Sequence, residues 1–375
     1  MGDNENGFYM IDKNKEQFLS GNELVVRAAQ RAGARFLFGY PITPTTEIMT
    51  YWSKLCQQNK DLHFVQAEDE LAAGFMMLGA VLAGQPAFCA TAGPGNILMQ
   101  DALSMAEAMR LPAVTFVMAR GGPSTATVIY SQQELVLTTH GGNGEGYRIV
   151  LAPSNLQELY DLSIKAFQLA WQYRFPVFVL GDGYLAKMQG PVKLNLTQSS
   201  QLRLVGAYSL LGQNKNLALA KKIQPSASLL IADKAIHLRN CFNWETEILA
   251  VNQSIKKAFD AMAKKVSQAQ IVGSKSAKTV VIAYGSVAMV VKQALATTAN
   301  KDICLFRPIT LSPFSQTKLR ALCQQAKHVL VFESSQDQLA NLVRQQLSGM
   351  AVSVIGHGRP GVVFGTEEIA KLLNC

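Results

Sequence analysis

An arginine at the end of a predicted strand is the first residue in this sequence with an evident binding chemistry. Arg120 follows the apolar run 113–118 and precedes two glycines and the hydroxyls of Ser124 and Thr125. A planar guanidinium donates two parallel hydrogen bonds to a carboxylate. The pattern therefore indicates a carboxylate-binding loop, and the alternative is an ordinary surface loop with a solvated arginine.

Three carboxylates stand together at the start of an apolar helix. Glu68, Asp69 and Glu70 follow the short strand 63–65 and precede the predicted helix 71–83. Acids in a first helical turn complement the helix dipole, which is a structural role sufficient for two of the three. Because the helix behind them is almost wholly apolar, we expect one carboxyl group to be partly desolvated, with a raised pKa.

A proline-rich corner offers a hydroxyl at another strand end. The strand predicted over 35–39 leads into Tyr40, Pro41, Ile42, Thr43 and Pro44. Thr43 precedes a proline and favours extended backbone, so we expect it to cap a helix that begins at Pro44. Ligands bind beyond the carboxyl ends of strands in open α/β sheets, and helix N-termini favour anions. An ordinary β–α turn is the alternative.

Two glycines mark the end of a further strand. Gly93 and Gly95 flank Pro94 after the strand predicted over 86–91. They imitate the start of a dinucleotide-binding GxGxxG motif, but Leu98 occupies the place of its last glycine, so the dinucleotide signal is weak. A tight turn that allows close approach of backbone to a ligand is the interpretation that remains.

The elements that must position these groups are short strands alternating with helices from residue 22 to residue 180. This alternation predicts a mainly parallel sheet with helices on both faces. After a stretch in which the pattern weakens, a smaller α/β pattern follows. We predict a first α/β domain over 1–190, a basic linker with an amphipathic helix over 191–275, and a second α/β domain over 276–375.

The basic residues are unevenly distributed. Of the 35 Lys and Arg and the 26 Asp and Glu, 13 and 4 respectively lie between Lys193 and Val280, so this segment carries the whole net charge of +9. It can dock an acidic partner or nucleic acid, but no nucleic-acid-binding motif accompanies it, which favours a solvated linker. Apolar residues at helical spacing predict an amphipathic helix over 245–266 that lies on a partner surface.

The composition excludes several classes of protein. Of the 375 residues 49% are hydrophobic and 16% charged, as in a well-buried soluble α/β protein. The most apolar stretch, 71–84, is too short to span a bilayer, and the start has no signal-peptide pattern, so we expect a cytoplasmic protein without membrane contact. The six cysteines include no CxxC pair, which argues against a zinc or iron–sulfur site on this chain and favours free thiols.

The run GYPITPTTE at 39–47 resembles the YPITPSSE signature of the alpha subunits of 2-oxoacid:ferredoxin oxidoreductases. Further matches run from residue 21 to about 182, and a weaker set from about 280 to 333 includes YGS and RPITLxPF stretches. The resemblance implies a pyrimidine-type thiamine diphosphate-binding fold for the first domain. For the second domain it implies a smaller, transketolase C-terminal-like α/β fold.

The resemblance also implies roles for individual residues. Matching the family's E-x-A-A…G-A spacing places at Glu70 the carboxylate that hydrogen-bonds the cofactor's pyrimidine ring, with Glu68 as the alternative. Thr43 matches a threonine that binds the substrate carboxylate, and Arg120 matches an arginine that approaches the same group. The substrate site is completed by Ser124 and Thr125, and the cofactor site by Tyr40, Pro41, Ile42, Gly93 and Gly95.

The implied reaction is the coenzyme A-dependent oxidative decarboxylation of pyruvate, 2-oxoglutarate or a branched-chain 2-oxoacid, with electrons passing through iron–sulfur clusters to ferredoxin. This chain has no cluster ligands. Its GDG sequence at 181–183 lacks the Asn pair that a magnesium–diphosphate motif carries roughly 30 residues further on, since only Asn214 lies nearby. Mg²⁺, [4Fe-4S] clusters and the diphosphate contacts are therefore expected on a beta subunit, in a heterotetramer or larger assembly.

Two loops depart from the family pattern and keep other functions open. Ala126 replaces a glycine of the usual RGGPSTGLPT loop, 128–130 replaces the stretch around its PT pair, and GGHGE becomes GGNGE at 141–145. These changes fall where selection of the substrate side chain is expected, so the particular 2-oxoacid stays open. The alternatives are a non-catalytic structural or regulatory paralogue, and a subunit of a thiamine-dependent 2-oxoacid decarboxylase without electron transfer.

Overall fold

The computed structural model of the chain describes residues 16–194, 241–298, 300 and 302–374. Residues 195–240 lie outside the described residues. Asn214 and much of the predicted basic linker fall there, so those interpretations are left at the level of the sequence.

The first half of the chain supplies six strands of a seven-stranded sheet, with helices packed around it. Six of the strands pair side by side in parallel, which confirms the predicted parallel sheet. In chain order the elements are β1 (Glu16–Ser20), α1 (Gly21–Arg31), β2 (Phe36–Gly39), α2 (Thr46–Gln58), β3 (His63–Gln66), α3 (Glu70–Leu82), β4 (Ala87–Thr91), α4 (Pro94–Leu98), α5 (Gln100–Ala108), β5 (Val114–Ala119), α6 (Leu135–His140), β6 (Ile149–Leu151), α7 (Leu156–Tyr173), β7 (Val177–Asp182), α8 (Gly183–Lys187) and β8 (Gln189–Lys193).

The second half forms a smaller, five-stranded sheet. Its elements are α9 (Glu245–Val266), β9 (Ala269–Gly273), β10 (Thr279–Ile282), α10 (Gly285–Thr297), β11 (Ile303–Pro308), β12 (Thr310–Ser312), α11 (Gln316–Cys323), β13 (His328–Glu333), α12 (Gln338–Gln346), β14 (Ser353–Gly358) and α13 (Thr366–Asn374). The strand order is β14-β13-β10-β11-β9, parallel except for β9. β9 lies within the range that the sequence analysis assigned to the linker.

A strand and an ion pair join the two halves of the chain. β12 leaves the second half and pairs antiparallel with β6, which places it at the edge of the first sheet. Just before it, Arg307 donates to both carboxylate oxygens of Glu158, at 2.6 and 2.8 Å, and to Ser154 Oγ at 2.8 Å. A bidentate pair of this kind fixes orientation as well as distance.

Aromatic side chains fill the space between the first sheet and its helices. Phe88 of β4 meets Phe116 of β5 edge to face at 5.7 Å, and Trp52 and Phe167 close on Phe88 from the helices at 5.0 and 6.1 Å. Pairs with this geometry contribute about 0.5–1.5 kcal/mol each beyond their burial. This packing holds β4 and β5 together, so the loops that leave them start from fixed points.

The amphipathic helix predicted over 245–266 is present as α9, but the surface on which it lies differs from the prediction. Ile255, Met262 and Val266 are buried, and Phe259 contacts the rings of Phe175 and Tyr147 at 5.4 and 5.3 Å. The apolar stripe therefore packs largely on the first half of the same chain rather than on a partner.

Candidate active site

Four strand ends meet along one edge of the first sheet. β3, β2, β4 and β5 are neighbours in that order and run parallel, so the residues that follow each strand emerge on the same side. The predicted residues that emerge there are Glu70 after β3, Tyr40, Pro41, Ile42 and Thr43 after β2, Gly93 and Gly95 after β4, and Arg120 after β5.

The three acids before α3 have separate environments. Asp69 is the N-cap, and its Oδ1 accepts a hydrogen bond from Ala72 N at 2.7 Å. Glu68 is exposed. Glu70, the first residue of the helix, is only 4% exposed, and its carboxylate accepts no hydrogen bond from another described residue. Burial raises the pKa of Glu70, with nearby Asp69 adding to the effect and Arg120 opposing it.

A glycine lets the Glu70 carboxyl lie directly against backbone. A Cβ on Gly95 would collide with Glu70 Oε1 and with Thr91 Oγ1, so a side chain at this position is excluded unless both groups move. The Thr91 hydroxyl is fully buried and has no hydrogen-bond partner among the residues that the structure describes. A buried carboxyl and an unpartnered hydroxyl therefore face the first turn of α4 together.

Arg120 joins the second group of predicted residues. Its guanidinium is buried, and Nη1 donates to the carbonyl oxygen of Thr43 at 2.9 Å. Its Nε has no hydrogen-bond partner in the described part of the chain and packs against Gly93, where a Cβ would lie 2.7 Å away. Gly93 also has φ +54, a conformation that favours glycine. The structure thus brings Thr43, Arg120 and Gly93 into contact.

The proline-rich corner differs from the prediction. Thr43 does not cap a helix, because the residues from 42 to 45 form a turn with a cis peptide bond before Pro44. In this turn the backbone N–H and the hydroxyl of Thr45 both donate to Ile42 O at 2.9 Å, and α2 begins only at Thr46. The Thr43 hydroxyl is left exposed at the strand end.

Ser124 and Thr125 lie on a loop that begins right after Arg120. Thr127 closes the base of this loop, because its N–H donates to Gly121 O and its Oγ1 accepts from Gly121 N, both at 3.3 Å. Ser124 and Thr125 are exposed, and neither bonds to Arg120. Ser124 and Ala126 have φ +54 and +25, which places non-glycine residues in a sparsely populated region.

One residue of this site was not identified from the sequence. Glu134, 5% exposed, accepts hydrogen bonds on Oε1 from Gly93 N at 2.8 Å and Arg120 N at 3.0 Å, and on Oε2 from Asn96 Nδ2 at 3.0 Å. Burial raises its pKa, and these hydrogen bonds oppose the rise. Its partners lie up to 41 positions away, and the residues around it have no periodicity that would have marked it.

Asn22 was also missed. This buried side chain donates from Nδ2 to Pro44 O at 2.7 Å and to Glu47 Oε2 at 3.0 Å. It therefore holds the proline-rich corner from α1, 22 residues earlier in the chain. Only its position in a first helical turn distinguished it in the sequence.

The GDG sequence at 181–183 has a structural part in this fold. Asp182 is the N-cap of α8 and accepts from Leu185 N at 3.0 Å. It is buried, and burial raises its pKa while hydrogen bonds from Ser286 and from the Leu185 and Tyr184 backbone oppose the rise. The Asp182 carboxylate thus caps α8 and accepts hydrogen bonds from Ser286 of the second half. This structural role agrees with the β–α turn expected from the sequence.

The residues that the structure describes contain no metal-binding cluster, disulfide or bilayer-spanning helix. Across 16–194, 241–298 and 302–374 no group of three or more His, Cys, Asp or Glu side chains is arranged to hold a metal ion. The five described cysteines, Cys56, Cys89, Cys241, Cys304 and Cys323, form no disulfide. None of the helices described is long and apolar enough to cross a bilayer.

Family comparisons match both halves of the chain. The family described as "Pyruvate flavodoxin/ferredoxin oxidoreductase, thiamine diP-bdg" matches residues 27–265, which include every predicted site residue. The family described as "Pyruvate:ferredoxin oxidoreductase core domain II" matches residues 277–369.

Individual relatives are similar over most of the chain. The 2-oxoglutarate synthase subunit KorA of Methanocaldococcus jannaschii is 30% identical over 349 residues, which cover 87% of this chain and 90% of that protein. The ketoisovalerate oxidoreductase subunit VorB of Methanothermobacter marburgensis is 32% identical over 327 residues, which cover 86% and 87%.

A solved structure supports the same fold. The 2-oxoglutarate:ferredoxin oxidoreductase from Magnetococcus marinus, with 2-oxoglutarate, coenzyme A and succinyl-CoA bound, is similar with a TM-score of 0.82 and 25% sequence identity. The match covers 96% of this chain and 65% of that chain. The predicted fold class, a thiamine diphosphate-binding α/β fold followed by a smaller α/β unit, is confirmed.

Proposed function

This chain belongs to the 2-oxoacid:ferredoxin oxidoreductase family, and we propose that it is the alpha subunit, which carries the pyrimidine side of the thiamine diphosphate site. A 2-oxoacid and coenzyme A are converted to an acyl-CoA, CO₂, one proton and two electrons, and the electrons pass to ferredoxin. The observation that carries this proposal is the convergence of Glu70, Gly95, Thr43 and Arg120 at four adjoining strand ends.

The residues at these strand ends fit thiamine diphosphate. When bound, this cofactor stabilises the carbanion left by loss of CO₂ from the substrate. Glu70 would hold the aminopyrimidine ring through its buried carboxyl, whose raised pKa suits a group that shares a proton with a ring nitrogen. The unpartnered Thr91 hydroxyl beside it offers a second polar contact. The residues proposed to line the pyrimidine ring are Tyr40, Pro41, Ile42, Gly93 and Gly95.

Arg120 and Thr43 are the residues proposed to bind the carboxylate of the 2-oxoacid. Among the described residues the Arg120 guanidinium donates one hydrogen bond, to Thr43 O, and its Nε has no acceptor, so donors remain for a ligand. Thr43, whose carbonyl accepts this bond, is itself exposed at the strand end. Ser124 and Thr125 are proposed to meet the substrate's side chain from their exposed loop.

Replacing either carboxylate-binding residue should weaken substrate use and spare cofactor binding. Loss of a charge-assisted hydrogen bond costs about 1.5–3 kcal/mol, so Arg120→Ala and Thr43→Val should lower kcat/KM about ten- to a hundredfold. Steady-state kinetics of the assembled complex measure this. The matched controls are Thr50→Val and Arg344→Ala, exposed residues outside the site, which should behave as wild type. Unchanged kinetics in Arg120→Ala or Thr43→Val would remove that residue from the site.

An apolar face beside the site supports completion by a second polypeptide. The helix α3 is apolar along most of its length. Large apolar side chains of α3, α4 and the neighbouring strand ends are exposed. Faces of this kind mark protein contacts. Its members are Tyr40, Val65, Leu71, Phe75, Met76, Ile97 and Leu98. We propose that the beta subunit covers this face and supplies Mg²⁺, the diphosphate contacts and the iron–sulfur clusters, in a heteromeric assembly.

The isolated chain should therefore bind thiamine diphosphate poorly. It offers contacts to the ring and no cluster of metal ligands among the described residues, and each missing charge-assisted contact costs about 1.5–3 kcal/mol. Titration calorimetry should give a Kd at least about tenfold weaker for the chain alone than for the complex with its beta subunit. Tight, Mg²⁺-dependent binding by the chain alone would contradict the proposed division of the site.

The reaction itself separates this function from its alternatives. The purified complex is supplied with coenzyme A, a viologen dye as electron acceptor, and in turn 2-oxoglutarate, 3-methyl-2-oxobutanoate and pyruvate. Dye reduction that depends on coenzyme A supports the oxidoreductase. CO₂ release without dye reduction would indicate a decarboxylase, and inactivity with every 2-oxoacid would indicate a non-catalytic paralogue.

A further inference from the structure

The segment 131–134, here called the brace, connects the second half of the chain to the site. Gln132 is almost fully buried and bonds to the second half through four groups. Its N–H and Oε1 pair with Ser334 O and N at 2.9 and 3.0 Å, its Nε2 donates to Tyr284 O at 3.0 Å, and its carbonyl accepts from Tyr284 Oη at 3.3 Å. The brace is thus fixed from outside the first sheet.

The other end of the brace reaches two strand ends at once. Glu134 Oε1 accepts the backbone N–H groups of Gly93 and Arg120, which follow β4 and β5. Those two residues also touch each other, since Arg120 Nε packs against Gly93. One carboxylate oxygen therefore sets the separation of the two strand ends at the place where the Arg120 side chain begins.

The contacts of Glu134 distinguish it from an ordinary helix cap. It precedes α6, yet its side chain makes no cap bond to that helix. All three of its donors belong to the strand ends and to Asn96 of α4. A buried carboxylate is costly to desolvate and persists where several hydrogen bonds compensate it. Here two of the three hydrogen bonds come from the residues that follow β4 and β5.

We propose that Glu134 is a positioning residue for the substrate. By holding the Gly93 and Arg120 amides, it fixes the direction in which the Arg120 guanidinium leaves the sheet, and Gln132 anchors it to the second half. This inference rests on the proposed function, because it concerns the binding of the 2-oxoacid carboxylate by Arg120.

The first measurement is hydrogen exchange of the full-length chain. Glu134→Ala should speed exchange at the Gly93 and Arg120 amides about ten- to a hundredfold, the range for loss of a hydrogen bond to a charged group. Glu134→Gln keeps an oxygen that accepts both N–H groups and should retain most of the protection. Leu322→Ala, a core change in α11 of the second half, controls for lost stability and should leave these two amides protected.

The second measurement is steady-state kinetics of the assembled complex. Glu134→Ala should raise KM for the 2-oxoacid about tenfold or more, with kcat and the Kd of thiamine diphosphate close to wild type. Glu134→Gln should restore KM, and Leu322→Ala should leave it unchanged. If Glu134→Ala does not fold, Glu134→Asp, which keeps the charge and withdraws the oxygens by one methylene, should give smaller changes in the same direction.

The outcomes separate this inference from the proposed function. Unchanged protection of the two amides in Glu134→Ala, or lost protection without a rise in KM, would overturn the positioning role. An equal rise in KM in Leu322→Ala would reduce the effect to general instability and overturn it as well. Inactivity of the wild-type complex with every 2-oxoacid would reject the proposed function and the substrate part of this inference, while exchange would still decide whether Glu134 fixes the two amides.

Discussion

Replacing Glu70 by glutamine is expected to slow exchange of the thiamine C2 proton in the assembled complex by at least about 100-fold, the scale of lost acid–base assistance. Glutamine keeps the size of the side chain and a hydrogen-bonding oxygen, but it cannot share a proton with the pyrimidine ring. Because the Glu70 carboxyl carries no hydrogen bond from another described residue, the fold and the cofactor affinity should change little. Proton NMR after acid quench follows the exchange.

The neighbouring acids provide matched controls. Glu68→Gln alters an exposed side chain, and Asp69→Asn keeps an oxygen that can cap α3, so both should leave proton exchange nearly untouched. If Glu68→Gln abolished exchange and Glu70→Gln did not, the assignment along this helix would be wrong by two residues. If neither mattered, the chain would not be the pyrimidine-activating subunit.

The raised pKa of Glu70 predicts how the stability of Glu70→Gln, relative to wild type, changes with pH. Burial raises this pKa above its ordinary value of 4.5, so the folded chain holds the proton more tightly than the unfolded chain. The free energy of unfolding then falls as the pH rises from 4.5 through the folded pKa, and the loss persists above it. Glu70→Gln removes this penalty. Its melting temperature should exceed that of wild type at about pH 8 and approach it below about pH 4.

Removing Glu107 is expected to destabilise the fold by about 3–5 kcal/mol, because it leaves a buried charge without its partner. Arg148 is fully buried, and its Nη2 lies 3.3 Å from Glu107 Oε2. Burial lowers the pKa of Arg148, and Glu107 opposes that change. Glu107 also accepts Tyr147 N at 2.9 Å. The shift of the urea midpoint of Glu107→Ala, at an unchanged slope, measures the loss.

A double variant and a surface pair test the physical reason. Glu107→Leu combined with Arg148→Met replaces both charges by apolar groups and should recover part of the lost stability; Tyr147 N and Gly141 O lose their partners in the double variant, which limits the recovery. Asp260→Ala removes one partner of the exposed pair with Lys256 and should change stability little, because solvent screens this pair. A Glu107→Ala loss as small as that of Asp260→Ala would show that Gln100 Oε1 and Gly141 O, to which Arg148 also donates at 3.0 and 2.8 Å, are sufficient partners for its charge.

The sequence predicted the parts of this fold that depend on short-range pattern. The α9 helix was predicted from its apolar spacing, and the expectation that one of the acids before α3 is desolvated agrees with the burial of Glu70. The prediction that α9 lies on a partner surface was wrong, because an apolar stripe does not indicate whether the surface it packs on belongs to the same chain. The prediction that Thr43 caps a helix was wrong because Thr45 closes a turn onto Ile42 O and α2 begins only at Thr46, which the residue types at this corner did not indicate.

The residues missed in the site depend on long-range contacts. Glu134 acts on residues 14 and 41 positions earlier, and Asn22 acts on a turn 22 positions later. Neither lies in a motif, and each gains its partners only when the strand order brings separate loops together. The roles of Glu70, Thr43 and Arg120 are predictions from the family resemblance, and the variants described above test them.

The strand β12 has a consequence for biosynthesis. It is the last-made strand of the first sheet, since β6 is finished about 160 residues before Thr310 leaves the ribosome. Until then β6 presents an unpaired edge to other chains, and such edges template aggregation. The completed chain covers that edge with its own β12, so nascent or shortened forms that lack Thr310–Ser312 face a hazard of strand exchange between molecules from which the full-length protein is protected.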